Sequence, residues 1–175
     1  MAEITYIKNE AHYGKVLQAA LQAKRMLWIG TADLKDLYVK HNNVTMPFLR
    51  AVAGLLSKKV EVRLIHAKEP GTRFRDDFDK HPELVNHLER MLCPRVHFKL
   101  IIVDSQWAYI GSANLTGAGM GMKSLNRRNF ESGIWTNDSA LVESAMSQFD
   151  DVWIGKHCPK CGRKEFCSDR VLDVR

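Results

Sequence analysis

Val96-His97-Phe98-Lys99-Leu100-Ile101-Ile102-Val103-Asp104-Ser105-Gln106-Trp107-Ala108-Tyr109-Ile110-Gly111-Ser112-Ala113-Asn114 is the stretch on which the fold turns. Val96 to Val103 and Gln106 to Ile110 are rich in β-branched and aromatic residues, and Asp104-Ser105 between them is turn chemistry, which predicts two adjacent strands. Residues two apart on a strand share a face, so His97 and Lys99 project together while Phe98 enters the opposite layer. A cation then sits beside an imidazole. Gly111 allows close backbone approach to a ligand, and Ser112 and Asn114 alternate onto a common face with groups suited to phosphate oxygens. These are parts of a phosphoryl-transfer site. Asp104 lies on the face opposite His97 and Lys99, and a structural ion pair or turn bond is expected of it rather than acid catalysis.

Working outward, Glu10 to Met26 carries apolar residues at three-four spacing and predicts an amphipathic helix. Leu27 to Ala32 predicts a buried strand, after which Asp33 is placed to cap a further helical segment. Pro47 to Ser57 reads as a helix and Val60 to Ile65 as a strand. Phe74 to Met91 has helical spacing that Pro82 kinks or splits. Downstream, Gly117 to Asn126 is a loop, Phe130 to Trp135 a strand and Ser139 to Trp153 a helix. Alternating helices and strands imply an α/β domain over residues 1–155, a central mixed sheet flanked by helices, with a basic Cys-rich tail over 156–175.

Composition bounds the function. The 175 residues are 45% hydrophobic, enough for one core and too many for a disordered chain. Lys plus Arg exceed Asp plus Glu by 26 to 20, a net charge of +6 that favours polyanionic partners. No apolar run approaches the ~20 residues of a membrane span, and the amino terminus lacks a secretory pattern, so a cytoplasmic location is expected.

His97-Phe98-Lys99, Asp104 and Gly111-Ser112-Ala113-Asn114, in this spacing, resemble the HKD signature of the phospholipase D superfamily. Asn129-Phe130-Glu131 resembles the family's downstream Asn-x-Glu element. The resemblance implies an α/β phospholipase D-like fold, a nucleophilic His97 that forms a covalent phosphoenzyme, and no catalytic metal. Lys99 and Asn114 would bind non-bridging oxygens with Ser112 assisting. Glu131 is the expected acceptor for the second ring nitrogen of His97. Only one motif is present, whereas the displacement also needs an acid for the leaving oxygen. As in the small bacterial endonucleases it resembles, two chains are expected to pair into a homodimer with one composite site. The leading expectation is a nuclease acting on DNA. The alternatives are a phospholipid phosphodiesterase or phosphatidyltransferase, and a catalytically silent DNA-binding module.

Outside the motif the readings are plainer. His12, His41, His66, His81 and His87 read as surface or internally satisfied histidines, and Met120 and Met122 as loop packing. Arg127 and Arg128 are candidates to grip flanking phosphates. Cys158-Pro159-Lys160-Cys161-Gly162 resembles half of a zinc knuckle and Cys167 follows it. Cys93 would complete a four-cysteine structural zinc site, with His157 the alternative fourth ligand although it strains geometry beside Cys158. Free thiols, a disulfide or an iron-sulfur cluster remain the competing readings.

Overall fold

In Leu27-Trp28-Ile29 alternate side chains part company: Leu27 and Ile29 join one buried cluster, and Trp28 joins another. This period-two alternation makes the sheet the middle of three layers. The structure is a computed structural model that describes residues 1–35, 37–41 and 44–169, with only the backbone of His41. Seven strands form one sheet: β1 (Ile4–Lys8), β2 (Met26–Thr31), β5 (Glu61–His66), β6 (Glu89–Leu92), β7 (Lys99–Val103), β8 (Trp107–Gly111) and β9 (Ser132–Thr136). Their spatial order is β1-β9-β8-β7-β2-β5-β6, parallel across β2-β5-β6 and antiparallel elsewhere. The expected mixed α/β sheet is therefore present.

Helix α1, a π-helical run His12–Leu17 continued by Gln18–Ala20, packs with α2 (Phe48–Ser57), Phe74 of α3 (Thr72–Asp79) and Leu84 of α4 (Pro82–His87) on one side. Helix α5 (Ser139–Trp153) covers the other through Val142, Ala145 and Phe149, and Asp138 caps it by accepting from the Leu141 amide at 3.0 Å. Among the described residues, no helix is long and apolar enough to cross a membrane.

Several boundaries differ from the sequence expectation, each for a physical reason. The first helix stops well short of Met26 because the Asp104 carboxylate accepts from the amides of Lys24, Arg25 and Met26 at 2.7–3.1 Å. That bond set feeds the chain into β2. Asp104 and Ser105 both adopt left-handed backbone, φ 55° and 57°, at the centre of a tight turn that the Gln106 amide closes on the Val103 carbonyl at 3.0 Å. Although desolvation pushes the Asp104 carboxyl up, the amides of Met26, Arg25 and Lys24 and the Arg25 charge together hold it below its ordinary pKa.

No helix follows Asp33 directly. Leu34 bridges to Leu115 instead, and a hairpin of β3 (Tyr38–His41) and β4 (Val44–Pro47) intervenes. Pro82 splits the expected long helix into α3 and α4, and its last residues become β6, drawn into extended form by the free edge of β5. Strand β1, likewise recruited at an edge, pairs with β9. Strand β7 begins at Lys99, where pairing with β8 begins, so His97 and Phe98 stand just outside the sheet.

His12 and His66 are fully buried. The Nδ1 of His12 lies 2.8 Å from the Asn9 carbonyl and that of His66 lies 2.7 Å from the Lys68 carbonyl, which assigns the proton to Nδ1 in both. The Nε2 of His66 has no hydrogen-bond partner among the described residues. Burial lowers the pKa of both rings. The unfolded chain therefore binds more protons than the folded one once pH falls below the ordinary histidine value of about 6.5, and stability must fall with it. Thermal unfolding should show a midpoint that decreases from pH 7.5 to pH 5.5, less steeply in a His66→Gln variant. A flat profile over that window would contradict the assignment of two buried neutral histidines.

Candidate active site

Antiparallel register places Lys99, the first residue of β7, directly opposite Gly111, the last of β8. The two halves of the motif thus meet at one end of the sheet. Lys99 is buried, and its Nζ donates to the His97 carbonyl at 2.6 Å while standing 3.3 and 3.5 Å from the two ring nitrogens of His97. Desolvation lowers the Lys99 pKa, and the nearby charge of Glu131 partly restores it. His97 itself is exposed. It lines an open cleft of about 600 Å³ together with Asp33, Lys68, Asn114, Arg163 and Phe166. Phe98 packs into the α5 side of the sheet, as expected, with its ring where a β-carbon on Gly30 would stand.

Asn114 is fixed by the turn after β2. Its Oδ1 accepts from the amides of Ala32 at 3.2 Å and Asp33 at 3.1 Å, which leaves Nδ2 as the donor available to a ligand. Thr31 Oγ1 accepts from the Leu115 amide at 3.0 Å and anchors the following residue.

Glu131 is placed differently from the expectation. Its Oε2 accepts from Ser112 Oγ at 2.5 Å and its Oε1 from Asn129 Nδ2 at 2.9 Å; among the described residues it makes no hydrogen bond to His97. Ser112 also accepts from the Ser132 amide at 3.0 Å. The Asn129-x-Glu131 element therefore holds Ser112 rather than the imidazole. Gly111 also has a different reason from close ligand approach: the space for a β-carbon is taken by the Tyr109 hydroxyl and by the Ser132 carbonyl.

That Tyr109 hydroxyl is the hub beneath the motif. It lies 2.8 Å from His12 Nε2 and accepts from the Ala113 amide at 3.1 Å. With the His12 proton on Nδ1, Tyr109 donates to Nε2. Burial pushes its pKa up to about 12, so it remains a neutral phenol. Sequence reading missed this pair as site support because a buried tyrosine and a histidine 97 positions apart carry no joint pattern.

The two arginines separate. Arg128 is largely buried and pairs with Glu10 at 2.9 Å, whereas Arg127 is exposed. Sequence reading also missed Arg163 and Phe166, which the tail folds back to the cleft mouth, the guanidinium 5.0 Å from the ring centroid. Met120 is fully buried and Met122 packs against the same cluster, in agreement with a packing role.

A family model described as "Cardiolipin synthase, PLD-like domain" matches residues 16–153. The chain belongs to the phospholipase D superfamily, a superfamily of phosphodiesterases. Among solved structures it is similar to NucT from Helicobacter pylori, with a TM-score of 0.65 at 14% identity over 87% of this chain and 96% of that one. It is also similar to Nuc from Salmonella typhimurium, a phospholipase D family member, with a TM-score of 0.63 at 18% identity over 87% and 95% of the two chains. A phosphatidylserine synthase from Haemophilus influenzae Rd KW20 gives 0.56 at 16% identity, over 89% of this chain and 38% of that one. At these identities the likeness is one of fold. No curated protein matches by sequence.

Replacing Tyr109 by Phe keeps the ring but leaves the buried Ala113 amide and His12 Nε2 without their partner, at a cost of about 1–3 kcal/mol. Denaturant unfolding of the Tyr109→Phe variant should read that loss, and an unchanged midpoint would remove Tyr109 from its place as hub.

Proposed function

We propose that the protein hydrolyses phosphodiester bonds of nucleic acid, DNA foremost, through a covalent phosphohistidine on His97. One observation carries this reading: an exposed imidazole stands in an open cleft with an ammonium 3.3 Å from its ring and an amide donor on the same wall. A ring nitrogen of His97 attacks phosphorus, and the bond to the leaving oxygen breaks. Lys99 and Asn114 Nδ2 stabilise the charge that grows on the non-bridging oxygens. Ser112, held by Glu131, flanks them. Water then attacks the phosphohistidine and regenerates the imidazole. This chemistry calls on no metal.

The leaving oxygen needs a proton, and this chain supplies one motif. The acid in our reading is His97 of a second copy across a twofold axis. The loop that carries Asn129 and Glu131 supports such pairing, because Leu125 and Phe130 on it are exposed apolar side chains.

For the substrate, the net charge of +6 and the Arg163–Phe166 pair at the cleft mouth favour a strand of nucleic acid, with a cation for phosphate and an aromatic face for a base. TrmBL2, an archaeal chromatin protein with a novel mode of DNA binding, shares the fold at a TM-score of 0.55 and 15% identity, over 86% of this chain and 51% of that one. A phosphatidyl-transfer reading is favoured by the description of the matching family and by the phosphatidylserine synthase.

Plasmid DNA, single-stranded DNA, RNA and phospholipid vesicles, offered in parallel without added divalent cation, separate the readings. Nucleic acid should be cleaved, and His97→Ala should lose at least about 1,000-fold in turnover with an unchanged circular dichroism spectrum. Turnover of phospholipid alone would overturn the nuclease reading in favour of lipid.

Binding should also weaken log-linearly with salt, at a slope of about −0.9 per phosphate neutralised on a duplex. Arg127→Ala should flatten that slope by about one unit, and Arg128→Ala by less because Glu10 already engages it. Equal effects from both arginines would contradict the placement of Arg128.

A further inference from the structure

The chain has four cysteines, and none is in a disulfide. Cys93 lies far from the other three in sequence, yet the fold brings it into the same region as them. Cys93 follows β6, and its amide donates to the His66 carbonyl at 2.9 Å. Cys158 and Cys161 lie just beyond α5 in a tight turn closed by the Cys161 amide on the Cys158 carbonyl at 3.1 Å. Cys93, Cys158 and Cys161 line one cavity of about 890 Å³ beside α5. Cys167 comes back along β6, with its Sγ 3.7 Å from the Leu92 carbonyl, and Asp169 fastens that return by accepting from the Leu92 amide at 2.7 Å.

The surroundings suit thiolates. The Arg163 amide points at the Cys161 sulfur at 3.4 Å, and the Arg95 side chain, two residues beyond Cys93, lines the same cavity and brings a positive charge near that sulfur. Amide and cation donors to sulfur are what a ligating thiolate needs to spread its charge. Lys156, Lys160, Arg163 and Lys164 make the surrounding segment basic, which offsets the net negative charge of four thiolates on a divalent ion.

We infer that Cys93, Cys158, Cys161 and Cys167 form a structural tetrathiolate site for zinc, clasping the C-terminal tail to the loop that leads into His97. Among the described residues, no three His, Cys, Asp or Glu side chains already stand at metal-holding distance of one point. In this inference binding closes the four sulfurs onto one point across the cavity that Cys93, Cys158 and Cys161 line. Four soft sulfur donors with a C-x-x-C pair select zinc in tetrahedral geometry. His157 lines the same cavity but is not needed once Cys93 is counted. The clasp also holds the Lys164–Phe166 turn in place, and with it Arg163 and Phe166 at the cleft mouth; only this last consequence rests on the proposed nucleic-acid function.

Full-length protein, freshly reduced and loaded with zinc or cobalt, provides the test. Wild type should hold about one zinc per chain, and cobalt should give the near-ultraviolet thiolate charge-transfer band of a tetrahedral sulfur site. Cys93→Ser and Cys161→Ser should each lose bound metal at least about tenfold, His157→Ala should keep it, and trypsin should cut after Lys160 and Arg163 faster in the cysteine variants. Circular dichroism of each variant separates loss of metal from loss of fold, and the wild-type cobalt spectrum stands whether or not a variant folds. Wild type that takes up neither metal, full retention of zinc in Cys93→Ser, or iron with cluster absorption in place of zinc would each overturn the inference.

Discussion

The pairing of Lys99 with Gly111 across the β7–β8 hairpin is the constraint on which the site depends. It brings the imidazole and ammonium of one segment to the same end of the sheet as the Ser112 and Asn114 of the other. A slip of one residue would turn every side chain of β7 to the other face, burying Phe98 where Lys99 belongs. Three features hold the register. The turn at Asp104-Ser105 closes with both residues left-handed, the Asp104 carboxylate ties that turn to the start of β2, and Gly111 admits the Tyr109 hydroxyl beneath the motif. Asp104 therefore serves the site from the far end of β7 without touching it.

A second constraint is electrostatic. Burying an ammonium is costly unless its donors are used, and Lys99 spends one on the carbonyl of His97. The cation is thereby fixed before a substrate arrives, in partly desolvated surroundings where its field on a phosphate is stronger than in water. Glu131 lies close enough to favour the charged form of Lys99, yet its oxygens are engaged by Ser112 and Asn129. The carboxylate thus tunes the cation while orienting a neutral hydroxyl.

Much of this was legible in residue order. The buried strand at β2, the apolar spacing of α5 and the strand-turn-strand order of the motif are local patterns of a few residues, and each appears close to where it was expected. What escaped reading depends on distant partners. Four-residue β6 and edge strand β1 extend because a neighbouring strand offers backbone groups, not because their own sequences demand it. The partnership of Tyr109 with His12, the neutralisation of Arg128 by Glu10 and the return of Arg163 and Phe166 to the cleft are likewise tertiary. Glu131 is instructive in another way. The motif singled it out but not its partners, because an Asn-x-Glu spacing says nothing about which neighbouring hydroxyl or ring the carboxylate reaches.

The central claim is that His97 bonds covalently to phosphorus during turnover. The most direct measurement is rapid quench into alkali with a short oligonucleotide, followed by mass spectrometry of the Val96–Lys99 tryptic peptide. A transient nucleotidyl or phosphoryl adduct on His97, base-stable and acid-labile, is the predicted result. Steady cleavage with no adduct at any quench time, or an adduct on another residue, would contradict it.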